Sequence, residues 1–147
     1  MYQRILVPID GSATSERALR EAIGLAAGKA QLRLVYVIEE VYPLDAEGFA
    51  YIDYESLQQA MRSTGKRTLA QAAEKVRLSG ITAETALLDM PGERVASVID
   101  NEALSWKADL IVIGTHGRAG LSRLLLGSVA EDVVRGASVP VLLVRAE

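Results

Sequence analysis

Short apolar runs alternate with longer segments of helical periodicity along this chain, and that alternation constrains the fold more than any other feature. Four runs are almost wholly apolar: Ile5 to Ile9, Leu32 to Ile38, Leu110 to Ile113 and Val139 to Val144. A strand can be that apolar when both of its faces are covered, as in a parallel sheet with helices on either side. A fifth run, Ile81 to Leu88, carries Thr82, Glu84 and Thr85 and reads as an edge strand. Four helix candidates lie between the runs. About Ser15 to Gly28 there is a stripe of Ala18, Leu19, Ala22, Ile23, Ala26 and Ala27. About Tyr54 to Leu78 the stripe is Leu69, Ala72, Ala73 and Val76, with Gly80 placed to close the helix. A third helix is expected to start near Pro91, with Val95, Val98, Ile99, Ala103 and Trp106 on its apolar face. The fourth, about Ser128 to Arg135, shows Val129, Ala130, Val133 and Val134. The order β-α-β-α-β-α-β-α-β predicts an α/β domain with a mostly parallel sheet.

Composition sets the remaining bounds. A chain of 147 residues, half of them hydrophobic, is expected to form one packed domain, 1–147. No cysteine is present, which removes disulfides, thiolate zinc sites and cysteine nucleophiles. A net charge of −3 argues against a nucleic-acid binder with a strong counterion-release footprint. The opening MYQRILVPIDGS does not read as a signal peptide, because its apolar run is short and ends in Asp10. No apolar run approaches the roughly 18 residues of a membrane span. A soluble, cytoplasmic protein without a membrane partner is the expectation. One stretch stands apart: Glu39 to Glu55 holds six acidic residues, no basic ones, and the aromatics Tyr42, Phe49, Tyr51 and Tyr54. It fits a lid or binding loop, and equally a surface loop whose aromatics cover the second helix.

Two strand ends carry unusual chemistry. The first run leads into Pro8-Ile9-Asp10-Gly11-Ser12, and the fourth into Gly114-Thr115-His116-Gly117. Open parallel sheets bind ligands outside the carboxyl ends of their strands, where the strand order reverses. If these two strands are neighbours, both loops open into one crevice. Gly114 and Gly117 allow sharp turning and close backbone approach. Nine residues later, Gly127 and Ser128 open a helix, whose free N–H groups and positive dipole end suit an anion. Ser128 adds a hydroxyl, and Arg118 and Arg123 could neutralise phosphate charge or stand solvated on the surface. Asp10 could accept ribose hydroxyls or serve as a turn or cap residue; both uses fit its chemistry. His116, the single histidine, can donate to a phosphate or exchange a proton, and cannot build a histidine metal site alone. The G-x4-G-K-[ST] loop, G-x-G-x-x-G, the G-x-S-x-G elbow and H-E-x-x-H are all missing, so no hydrolytic machinery is visible.

With these residues laid out, the chain resembles the universal stress protein family, and specifically its ATP-binding branch. The resemblance runs through ILVPIDGS, LVYVIE and ADLIVIGTHGRAGLSRLLLGSVAEDVVRGASVPVLLVR, nearly the whole length. The branch's G-x2-G-x9-G-[ST] pattern is met by Gly114, Gly117, Gly127 and Ser128. The resemblance implies a doubly wound five-stranded parallel sheet in the order 3-2-1-4-5, with helices on both faces. It implies that Pro8, Ile9 and Asp10 line an adenosine pocket and that Val37 meets the adenine through its backbone. Gly114, His116, Gly117, Gly127, Ser128 and Val129 would hold ribose and phosphates, and Ser12 would also reach the site. Ala130 stands where some relatives carry a hydroxyl residue. The implied ligand is ATP with Mg2+ or Mn2+, and Gly114→Ala or Gly127→Val should abolish its binding. The implied assembly is a homodimer through Val139 to Val144. The function so implied is a nucleotide-dependent stress-response sensor or regulator, at most a weak ATPase, with no catalytic residue assigned. Two alternatives stay open. One is a dimeric adaptor of the same fold that works without nucleotide. The other is an adenine-nucleotide hydrolase, although the SGGxDS, HIGH and KMSKS signatures are missing.

Overall fold

Arg4–Pro8 (β1), Gln31–Ile38 (β2), Ala83–Asp89 (β3), Leu110–Gly114 (β4) and Val141–Val144 (β5) pair as one parallel sheet in the order β3-β2-β1-β4-β5. Ala13–Ala26 (α1), Tyr54–Leu78 (α2), Val95–Trp106 (α3) and Ser128–Gly136 (α4) connect successive strands. These elements come from a computed structural model that describes residues 1–39, 54–90, 92–116 and 126–145. Both expected edge strands, β3 and β5, lie at the sheet edges.

The two-residue period of the strands sorts the apolar runs between two cores. Ile5, Val7, Leu32, Leu34 and Val112 pack with Ala18, Leu19 and Ala22 of α1 and with Leu69, Ala72 and Val76 of α2. Leu6, Val35, Ile111 and Ile113 pack on the opposite face with Ile99, Ala103 and Trp106 of α3 and Val133 of α4. The central strands are buried on both faces, which is why their sequence shows no polar alternation. Truncating a fully buried side chain such as Leu34 to alanine should cost about 2–5 kcal/mol.

Helix ends follow local chemistry. α2 closes as expected around Gly80, with Ile81 N–H donating to Val76 O (3.3 Å) and Gly80 N–H to Arg77 O (3.0 Å). α3 starts at Val95, four residues after the expected Pro91. Gly92 takes φ +69, which interrupts helical backbone, and Arg94 is the extended N-cap. β5 starts at Val141 rather than Val139, although Pro140 still accepts the Ile111 N–H through its carbonyl at 2.9 Å. Val134, expected on the buried face of α4, is 47% exposed.

The N-terminal edge of the sheet is tied together by charge. Arg4 and Arg33 lie 5.6 and 5.3 Å from the centroid of Trp106. Arg33 is bonded to Glu84 (2.7 Å) and Glu102 (2.5 Å). Burial works against the guanidinium charge, but these hydrogen bonds outweigh it and raise the pKa of Arg33. Asp109 accepts the N–H groups of Gln3 (2.8 Å) and Arg4 (3.0 Å). The opposite edge is built differently.

Candidate functional site

The strand order reverses between β1 and β4, since the chain leaves β1 toward β2 on one side and β4 toward β5 on the other. Backbone chemistry parts these two strands. Gln31 N–H donates to Gln3 O (2.8 Å) and Ile9 N–H to Val35 O (2.7 Å), so odd-numbered residues here bond toward β2. Asp109 N–H donates to Arg4 O (2.9 Å), so even-numbered ones bond toward β4. Pro8 is even-numbered and has no N–H to donate. The β1–β4 ladder accordingly stops at Leu6–Ile111, while the β1–β2 ladder runs on to Pro8–Val35.

The turn from β1 into α1 is closed by its own side chains. Ser12 caps the helix, its Oγ accepting the Ser15 N–H at 3.2 Å. Asp10 Oδ1 accepts the Ser12 N–H (2.8 Å), and Ser15 Oγ accepts the Asp10 N–H (3.2 Å). Asp10 is therefore a turn residue rather than the cap, and its carboxylate stands beside the crevice.

The turn from β4 into α4 is held by backbone. Thr115 N–H donates to Val144 O (2.9 Å), and Thr115 O accepts the Gly127 N–H (2.7 Å). Gly127 is the N-cap of α4, and among the described residues no side chain caps the helix. The first-turn N–H groups of Ser128, Val129 and Ala130 have no helical partner, and all three residues line the crevice. Gly114 and Gly127 owe their identity to packing. A Cβ on Gly114 would stand 2.9 Å from the backbone carbon and side chain of Thr14. One on Gly127 would stand 2.8 Å from Thr115 O. Neither residue has a positive φ. Substituting either disturbs the fold at the junction before it touches a ligand.

The crevice is a cavity of about 360 Å³, a usual size for a small-molecule site. β1 and its turn bring Pro8, Ile9 and Asp10 to it, and β2 brings Val37. The β4 turn brings Gly114 and His116, and the start of α4 brings Gly127, Ser128 and Val129. Ser12 does not line it. Gly117, Arg118, Arg123 and nearly all of the Glu39 to Glu55 segment lie outside the described residues. Glu39 itself lines the cavity. His116 is only 9% exposed, and its Nδ1 lies 2.9 Å from Thr115 Oγ1.

A sequence profile of the universal stress protein family matches residues 1–145. The chain belongs to the universal stress protein family. A universal stress protein of Methanocaldococcus jannaschii is 35% identical to it over 150 residues, covering 99% of this chain and 83% of the relative. The solved universal stress protein of Archaeoglobus fulgidus in complex with dAMP is 29% identical, with a TM-score of 0.67 over 98% of both chains. A solved universal stress protein in complex with cAMP is 26% identical, with a TM-score of 0.70 over 99% of both chains.

Several walls of this universal stress protein's cavity carried no recognisable sequence signal. Val95 and Ile99 of α3 belong to an apolar stripe and read as core, yet they line the cavity. Met61 comes from α2, far along the chain from either glycine-bearing turn. Ser15 and Thr115 are 4% and 5% exposed polar residues inside the two turns. Buried polar side chains need partners, so a serine or threonine flanking a strand-end glycine was the available signal.

Proposed function

We propose that this universal stress protein binds an adenine nucleotide in the cavity between β1 and β4, with ATP as the full ligand. The observation that carries the reading is the uncapped start of α4 opening onto that cavity. Backbone donors and a positive dipole end there match an anion. The apolar wall of Val35, Val37, Val95 and Ile99 matches a purine, and Asp10 matches ribose hydroxyls. That two relatives hold dAMP and cAMP supports adenosine monophosphate as the shared part of the ligand. The branch's glycine pattern supports a longer phosphate chain.

Among the described residues the cavity carboxylates are Asp10 and Glu39. Among the described residues no group of three or more His, Cys, Asp or Glu could hold a metal ion. A Mg2+ or Mn2+ would therefore arrive on the phosphates, keep several waters and meet at most one or two of these carboxylates. When bound, it would supply charge neutralisation to the phosphates. The sequence holds none of the recognised hydrolytic motifs, which supports a switch or sensor with slow hydrolysis. Calorimetric titration of nucleotide-free protein with ATP and Mg2+ tests this directly. Absence of binding by ATP, AMP and cAMP alike would overturn it.

The same reading includes a homodimer through β5. That strand pairs with β4 on one side, and its Leu142 is 37% exposed. An apolar sheet edge of this kind needs covering, and a two-fold copy is the simplest cover. Light scattering over a wide concentration range should give a dimer mass; a monomer throughout would refute the pairing.

A further inference from the structure

The two turns that flank the cavity are joined by a chain of hydroxyls. Ser12 Oγ accepts the Ser15 N–H, so its proton is available to a second acceptor. Thr14 Oγ1 lies 3.3 Å from Ser12 Oγ and donates its own proton to the carbonyl of His116. The only consistent direction therefore runs from the Ser15 N–H to Ser12, from Ser12 to Thr14, and from Thr14 to His116 O. Thr14 is 6% exposed, and its backbone and side chain fill the space a Cβ on Gly114 would need. It thus fixes both the carbonyl of His116 and the distance between α1 and the end of β4. Thr14 does not line the cavity.

We infer that Thr14 is a positioning residue for phosphate binding. It pins the His116 carbonyl, and because the neighbouring Thr115 O accepts the Gly127 N–H, it keeps the start of α4 placed to present its N–H groups to one anion. The inference rests on the nucleotide reading above and assigns that site a part it did not include. Binding geometry set by a buried neighbour is lost steeply when the neighbour changes. Without the Thr14 proton, the His116 carbonyl loses a buried partner, and the placement that partner enforced is relaxed.

The test compares Thr14→Val, which keeps shape and removes the donor, with Thr14→Ser, which keeps the donor. The readout is the ratio of ATP to adenosine affinity, measured by calorimetry on nucleotide-free protein. Thr14→Val should lower ATP affinity about tenfold, the upper scale of one neutral hydrogen bond, and leave adenosine affinity within about twofold on that scale. Thr14→Ser should restore the ratio. A purely structural residue would shift both ligands together or neither. If Thr14→Val does not accumulate as folded protein, Ser12→Gly carries the test. It removes the hydroxyl that feeds Thr14 at little cost to the cap, and should lower the ratio by about threefold, under half of such a bond in energy. An unchanged ratio in the folded variant, with ATP still bound by the wild type, overturns the inference. Failure of the wild type to bind ATP instead overturns the nucleotide reading on which it rests.

Discussion

Helices α1 and α4 both begin at the C-terminal edge of the sheet, on either side of the place where β1 and β4 part. At α1 a side chain caps the helix by taking the Ser15 N–H, and the turn before it is tied by its own side chains. Ser12 caps Ser15, Asp10 holds Ser12, and Ser15 holds Asp10. At α4 the cap is a glycine with no side chain to offer, and the donors beyond it face a cavity. The two junctions occupy equivalent places in the first and fourth βα units, yet one carries a side-chain cap and the other, among the described residues, carries none. A helix end costs free energy when its N–H groups go unpaired. The uncapped start of α4 therefore carries a cost that the Ser12 cap reduces at α1, and anion binding is the natural way to offset it.

The largest effects should come from the two glycines that set the junction's spacing. Gly114→Ala drives a methyl against Thr14, and Gly127→Ala drives one against Thr115 O. Each should destabilise the fold by about 1–3 kcal/mol, the usual cost of overpacking, read as a lower midpoint in urea or heat. Loss of nucleotide binding in these variants would follow from the misfit. An unchanged unfolding midpoint would mean that these glycines serve the ligand rather than the packing.

Next comes the open end itself. Ser128→Pro removes one N–H from the first helical position, where proline is favoured. Gly127 has φ −64 and ψ 154, a backbone that the residue before a proline readily adopts. Ser128 is exposed, so the ring has room. Stability should hold or rise while ATP affinity falls about 10- to 100-fold, the worth of a charge-assisted hydrogen bond. Ser128→Ala removes only the hydroxyl and should cost less. Equal affinities for the proline and alanine variants would show that the backbone N–H at this position contributes nothing.

These contrasts also explain what the sequence could and could not reveal. The strands were legible because burial on both faces leaves continuous apolar runs at Ile5, Leu32 and Leu110, and because polar Thr82 to Thr85 marked β3 as an edge. The glycine positions were legible too, but not their reason. Gly114 was read as room for a ligand, whereas its missing Cβ makes room for Thr14, a contact 100 residues away in sequence. Spacing along the chain cannot distinguish those uses. Pro8 was placed at the crevice by its strand-end position and in the adenosine pocket by resemblance. Its effect, ending the β1–β4 ladder, depends on which neighbour its missing N–H would have faced. Met61 and Ile99 stayed hidden because an apolar residue at helical spacing looks the same whether it meets another core side chain or lines a cavity.

The smallest expected effect belongs to the closed junction. Ser12→Ala removes the cap of α1 and should lower stability by about 1 kcal/mol, as N-cap serines generally do. The loss should appear in the unfolding midpoint, because Ser12 does not line the cavity. ATP affinity should fall less than in Ser128→Pro, since Thr14 can still donate to His116 without Ser12 behind it. The two serines thus separate the junctions: one variant loses stability and keeps most of its ligand, and the other keeps stability and loses ligand. If instead Ser12→Ala weakened ATP as strongly as Ser128→Pro, the α1 end would be part of the anion site. Saturating ATP offers an internal check, because a ligand that binds only the folded state adds about 2.7 kcal/mol at a hundred times its Kd. That increment should survive in Ser12→Ala and shrink in Ser128→Pro. An equal increment in both would mean that the open end of α4 does not hold the phosphates.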